Sequence, residues 1–297
     1  MIIMKMKRRQ QRLNRRRFIR GVAWGTLGFC TAGAVDAWGI EPEWVEVTEW
    51  ELNLKNLPRP FVGCRLVHIS DLHCSATVSE EYLRRCVQRV NQLQPDMVFL
   101  TGDYVTHDRK GYYRKQVVKL IGGVRSRLGV FACLGNHDYS IASALGRRRD
   151  EHLHYLESAL QAKGVCLLRN QSHTVMLDNT TIQIVGLGDF WANDFDPRRA
   201  FARVHKDIPS LVLSHNPDSI DTLLAYQPDV VFSGHTHGGQ VRIPFFGPPI
   251  VPLKNRHFSA GMFTVDNTRL YVNRGLGRIG RIRFNCRPEI TCFTLTS

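Results

Sequence analysis

Five short apolar runs recur along the chain, and each closes on a polar turn. They are Arg65 to Ser70, Met97 to Thr101, Val130 to Leu134, Leu211 to Leu213 and Val230 to Ser233. Runs of roughly 4–8 residues that are apolar on both faces read as buried strands of an α/β protein. Helical spacing separates the early ones. Ser79 with Glu80 and Glu81 marks a helix start, Leu83, Val87, Val90 and Leu93 supply its apolar face, and Pro95 ends it. Further helices are predicted over Tyr113 to Val124, Asp150 to Lys163 and Ser219 to Tyr226. Residues 43–54 alternate as a half-exposed strand, and two short strands are expected to meet across Asp178-Asn179. The tail is mainly strand, at Met262 to Val265, Leu270 to Val272 and Ile290 to Leu295. A β-α-β-α-β first half and a strand-rich second half predict two packed sheets with helices outside, in one domain.

At 297 residues the chain can bury a sizeable core. Its net charge of +14 is concentrated at the start, where residues 1–20 hold nine basic side chains and no acidic one. The remainder carries 31 basic and 26 acidic residues, a mild excess that predicts no specific nucleic-acid partner. Arg15-Arg16-Arg17-Phe18-Ile19-Arg20 fits the bacterial twin-arginine pattern. The stretch Gly21 to Val35 is modestly apolar, with Ala32 and Ala34 spaced as for cleavage, and is weak for a membrane-spanning helix. Residues 1–40 are therefore read as a signal or anchor, and 41–297 as the catalytic domain. Export to the cell envelope through the twin-arginine machinery is the expectation, on the periplasmic side or the outer face of the cytoplasmic membrane. An uncleaved, charge-oriented anchor with peripheral membrane association is the alternative, and a nucleic-acid-binding arm a further one. The eight cysteines are scattered, mostly in apolar runs, and read as buried free thiols rather than a disulfide framework.

The turns after the apolar runs carry the chemistry. They are Asp71-Leu72-His73, Gly102-Asp103, Gly135-Asn136-His137-Asp138, Ser214-His215-Asn216 and Gly234-His235-Thr236-His237-Gly238. Open α/β sheets place active sites at the carboxyl ends of strands. Carboxylate, imidazole and amide donors together suit manganese, iron, zinc or cobalt better than a thiolate-loving ion. A carboxylate that bridges two ions about 3.5–4 Å apart can clamp the attacking and leaving oxygens of a phosphoryl displacement. No Walker loop, Gly-x-Ser-x-Gly elbow or Ser-x-x-Lys is present to suggest another nucleophile. His68, His107, His152, His154, His173, His205 and His257 lie outside the motifs and read as packing or surface residues. Arg274, Arg278, Arg281, Arg283 and Arg287 form a basic tail, either a solvated face or a contact for an anionic substrate.

These five motifs resemble those of the calcineurin-like metallophosphoesterases. Ser214-His215-Asn216-Pro217-Asp218, Gly188-Asp189-Phe190-Trp191-Ala192 and Asn285-Cys286-Arg287-Pro288-Glu289 narrow the likeness to the bacterial YaeI/YkuE-type phosphodiesterases. The resemblance implies a four-layer α/β/β/α sandwich of two mixed sheets flanked by helices. It implies two divalent metal ions per chain, the first held by Asp71, His73 and His237, the second by Asn136, His215 and His235, with Asp103 bridging. His137 would steady the phosphate and protonate the leaving group, and Asp138 would orient that imidazole. The implied activity is hydrolysis of a phosphodiester or pyrophosphate by a metal-bound hydroxide. Two alternatives accompany it. One is a UDP-2,3-diacylglucosamine pyrophosphatase of lipid A synthesis; the other is an envelope- or nucleic-acid-binding module with a vestigial metal site.

Overall fold

The structure, a computed structural model, describes residues 33–108, 110–141 and 153–297, together with 17, 20–22, 24, 25, 28 and 31. Among the described residues, twelve strands make two six-stranded sheets. The first contains β1 (Glu46–Asn53), β2 (Arg65–Ile69), β3 (Met97–Thr101), β4 (Gly129–Cys133), β5 (Val165–Leu167) and β12 (Glu289–Thr296), in the order β1-β12-β2-β3-β4-β5. The second contains β6 (Gln171–Leu177), β7 (Thr180–Gly186), β8 (Ser210–Leu213), β9 (Val230–Ser233), β10 (Gly261–Val265) and β11 (Thr268–Val272), in the order β10-β11-β9-β8-β7-β6.

The apolar pattern explains the layering. Leu66, Phe99 and Phe131 of the first sheet meet Ile184, Leu213 and Phe232 of the second in a buried middle core. The other face of the first sheet buries Val67, Val98 and Ala132 against three helices, α1 (Glu80–Gln92), α2 (Tyr112–Ile121) and α3 (Leu153–Gln161). Outside the second sheet, Val185, Val212 and Val231 pack on the short α4 (Pro197–Ala200) and α5 (Ile220–Leu223). Strands covered on both faces are apolar at nearly every position, which is why the five runs do not alternate. The Ser79 hydroxyl caps α1 by accepting from the Tyr82 N–H at 3.2 Å. The result is the expected four-layer α/β/β/α sandwich.

The C-terminal β12 inserts between β1 and β2, parallel to the former and antiparallel to the latter. The helix read over Ser219 to Tyr226 is a single α-turn flanked by 3-10 turns. Within the segment expected as signal or anchor, Ala37 is buried and its carbonyl accepts from the Arg283 N–H. Arg15, Arg16, Phe18, Ile19, Cys30, His152 and the start of the helix expected from Asp150 lie outside the described residues. Among the described residues no helix is long and apolar enough to cross a membrane.

Candidate metal centre

All five motifs meet at the carboxyl ends of β2, β3, β4, β8 and β9, on the seam between the sheets. Neighbouring turns are stitched by backbone bonds: Asp71 N–H to Gly102 carbonyl at 3.0 Å, His73 N–H to Asp103 carbonyl at 3.0 Å, and Gly234 N–H to His215 carbonyl at 3.0 Å. Asp71, His73, Asp103, His235 and His237 all take positive φ, between 46° and 69°. Side chains other than glycine adopt that region at a cost of about 1–3 kcal/mol each, and such residues cluster where geometry serves function. Two glycines permit the closeness. A Cβ on Gly135 would overlap the Asp103 carboxylate and one on Gly234 would overlap Ser70 and Asp71, so neither position admits a side chain.

The donor atoms converge in three overlapping groups: Asp71 with His73 and His237, His73 with Asp103 and His137, and Asp103 with His215 and His235. Within each group the atoms lie within 4.8 Å of one another, and every residue is buried. His73 Nε2 faces His237 Nε2 at 3.0 Å, and Asp71 Oδ1 stands 3.4 Å from the latter. Asp103 Oδ2 lies 3.5 Å from His73 Nε2 and 3.2 Å from His215 Nε2. Asn136 donates through Nδ2 to the Ile141 carbonyl at 2.6 Å, which turns its Oδ1 toward His235 Nδ1 at 2.9 Å. The structure therefore brings all seven expected ligands together.

The electrostatics ask for cations. Two carboxylates and five imidazoles are packed here; among the described residues no arginine or lysine forms an ion pair with Asp71 or Asp103, and buried carboxylates are stable only when paired or bound to metal. Burial pushes His73 and His235 down to about 3 and His237 well below its ordinary value, so these imidazoles are neutral and free to ligate. Burial likewise raises Asp71. His215 goes the other way: burial opposes its charge, but the Asp103 carboxylate beside it prevails and raises it to about 10. Asp103 is in turn held well below the usual carboxylate range, against its own burial, by His215, His137 and His73. The His215 Nδ1–H donates to the Thr101 carbonyl at 2.6 Å, which leaves Nε2 facing Asp103 and the site. The buried His215 Nε2 and His237 Nδ1 have no hydrogen-bond partner. The donor set fits divalent metal.

His137 and Asp138 behave differently from each other. The His137 Nδ1–H donates to the Thr106 carbonyl at 2.9 Å, so its other nitrogen faces the site. Asp138 does not orient that ring. Its Oδ2 accepts from the Asp103 and Gly135 N–H groups at 2.9 Å, and its Oδ1 from the Tyr104 N–H at 3.0 Å. It ties the third turn to the second, and Thr106 holds the imidazole. Thr106, whose hydroxyl also meets His73 Nδ1 at 3.0 Å, follows Val105 four residues after Gly102 in no recognisable motif and gave no sequence signal. Trp191 was visible only as part of Gly-Asp-Phe-Trp-Ala; its ring stands edge-on to His235 at 4.4 Å.

The basic tail is neither a solvated face nor an open anion site. Arg283 is wholly buried and donates to the Arg274, Gly275, Gly277 and Cys286 carbonyls. Arg274 pairs with Glu46 and Glu289, Arg278 reaches the Pro42 and Thr77 carbonyls, and Arg287 stacks on Trp44. Only Arg281 projects into solvent. His68 is a core residue, bonded to Thr101 and set between Phe232 and Tyr271. The seven described cysteines are free. Cys74, beside His73, is buried against Gln116, and burial raises its thiol to about 12, which suits packing rather than ligation.

The sequence profile of the calcineurin-like phosphoesterases matches residues 64–239, which contain every converging donor. The chain belongs to that family. It is 36% identical to the UDP-2,3-diacylglucosamine pyrophosphatase LpxG of Chlamydia trachomatis, over 84% of this chain and 89% of that protein. It is 31% identical to the metallophosphoesterase YkuE of Bacillus subtilis, over 97% and 99%. The phosphodiesterase YaeI of Escherichia coli is 30% identical, over 95% and 99%. This calcineurin-like phosphoesterase is a metal-dependent hydrolase, and its buried His and Asp cluster offers donor groups able to hold metal.

Proposed function

We propose that the chain hydrolyses phosphodiester bonds with two divalent ions, one held by Asp71, His73 and His237 and the other by Asn136, His215 and His235. The observation that carries this reading is the position of Asp103. Its Oδ2 lies between His73 Nε2 and His215 Nε2, at 3.5 and 3.2 Å, where a shared ligand belongs. When bound, such ions neutralise phosphate charge and acidify water at neutral pH. Manganese, iron, zinc and cobalt all suit the donor set.

The chain's own residues complete the reaction. His137, fixed by the Thr106 carbonyl, presents its free nitrogen beside the Asp103 and His73 donors, where it can hydrogen-bond a phosphate oxygen and give a proton to the departing one. Asp138 acts through the backbone, keeping Asp103 and Gly135 at their close approach. No side chain has to act as nucleophile. Hydrolysis of bis(p-nitrophenyl) phosphate by metal-loaded protein tests the reading. Turnover lost in chelator and regained with manganese, zinc, iron or cobalt supports it; chelator-resistant turnover contradicts it.

A pyrophosphate substrate is the second reading, favoured by the 36% identity to LpxG. Parallel assays on UDP-2,3-diacylglucosamine and on simple diesters separate the two. For location, the twin-arginine pattern supports export of the folded, metal-loaded enzyme to the cell envelope, with residues 1–40 as signal or anchor.

A further inference from the structure

The strand-free segment Val241 to Val251 leaves the metal centre directly after His237 and presents apolar side chains to solvent. Phe245 and Phe246 are almost wholly exposed, Ile250 largely so and Ile243 a little under half. This is not a slack loop. The Ile243 N–H donates to the Gly247 carbonyl at 2.9 Å and the Gly247 N–H returns to Ile243 at 2.8 Å, closing a tight hairpin with the two phenylalanines at its tip. Pro244, Pro248 and Pro249 restrict it further. Its base is anchored on the site: Pro248 packs on Gly239, and the Arg242 N–H bonds the Phe284 carbonyl at 2.9 Å.

The same rim continues into the N-terminal segment. Gln240 exchanges two bonds with Ile279, at 2.6 and 2.9 Å, and the Arg283 N–H donates to the Ala37 carbonyl at 3.0 Å. Ile279, Trp38 and Ile40, all exposed, thus stand on the strip that carries the hairpin. The exposed cations beside it are Lys254 and Arg256 on the same segment and Arg281 on the neighbouring one, and residues 239–265 hold no acidic residue. Two acidic groups of the adjoining strip are engaged elsewhere: Glu41 accepts from the Asn285 and Cys286 N–H groups, and Glu43 pairs with Arg85. A protruding apolar tip with a basic flank matches an anionic lipid surface, whose interface takes aromatic and aliphatic side chains while its phosphates attract the cations.

We propose that the Val241–Val251 hairpin docks into an anionic bilayer and presents the metal centre to phosphodiester or pyrophosphate headgroups there. The substrate part rests on the function proposed above; the docking part does not. Wild type and the Phe245→Ser, Phe246→Ser double variant, both full-length and metal-loaded, are to be sedimented with vesicles of phosphatidylcholine with and without phosphatidylglycerol. High ionic strength screens the basic leader's contribution. Loss of two aromatic anchors predicts a roughly ten- to hundred-fold weaker partition to the anionic vesicles, with turnover of soluble bis(p-nitrophenyl) phosphate unchanged. In a Phe245→Trp variant, the emission difference from wild type is expected to shift to the blue on mixing with these vesicles. Equal partition of the double variant, or an unmoved emission, overturns the docking. Normal docking with no diester or pyrophosphate turnover overturns the function instead.

Discussion

Replacing Asp138 separates two accounts of how the third turn works. In this structure its carboxylate accepts three buried backbone N–H groups and does not touch the His137 ring. In Asp138→Asn the amide oxygen can keep the two bonds on the Oδ2 side, from Asp103 and Gly135, while its NH2 is turned against the Tyr104 N–H. One buried donor left unsatisfied costs about 1–3 kcal/mol, and the two retained bonds lose charge assistance. The total is about 2–4 kcal/mol, or roughly 4–16 °C in melting temperature for a chain of this size. Asp138→Ala strands three donors, about 3–9 kcal/mol, comparable with the whole stability of a domain. Urea midpoints and kcat for a chromogenic diester, normalised to bound metal, are the readouts. The Asn variant is expected to unfold at lower urea while its normalised kcat stays within about tenfold of wild type. An unchanged midpoint with a loss of about 10²-fold or more in kcat, the scale of a lost acid–base group, would refute the reasoning and return Asp138 to His137.

Further outcomes follow from the site. His137→Ala is expected to keep its metal yet lose roughly 10²–10⁴-fold in kcat, with a smaller loss for nitrophenyl esters, whose leaving group needs no proton; metal analysis beside His235→Ala checks the distinction. Asp103→Asn is expected to lose most activity and to bind less metal, because a neutral amide cannot serve two cations as a carboxylate does, and elemental analysis with kcat reads both effects. Replacing Arg15, Arg16 and Arg17 by Lys keeps the charge but removes the paired guanidinium groups, so the variant is expected to accumulate in the cytoplasm, folded and active, by fractionation. An anchor oriented by charge alone would tolerate the change.

What the sequence disclosed and what it hid follow one physical rule. The five strands before the motifs lie between layers, so most positions are apolar, and their turn residues had to be polar for another reason; both facts are local. The insertion of β12 between β1 and β2 is a pairing across more than two hundred residues, set by the fit of Thr291 opposite His68 and Trp50 opposite Phe293. No local pattern encodes it. Asp138 follows His137 in the chain, yet adjacency says nothing of direction, and its side chain turns back to the Asp103 backbone. Thr106 acts on His137 through a carbonyl, a group every residue has. Arg283 sits among arginines that look like a solvated tail, but only the folded backbone reveals the four carbonyls that hold it inside.

Metal stoichiometry is the most direct test of the central claim. Protein stripped with chelator should be inactive on bis(p-nitrophenyl) phosphate and regain turnover as a divalent ion is added, with activity and bound metal saturating together at two ions per chain. His73→Ala and His215→Ala, on opposite sides of Asp103, should each bind less than the wild type. Saturation of activity at a single ion per chain, or full occupancy in both variants, would contradict a shared centre built around Asp103.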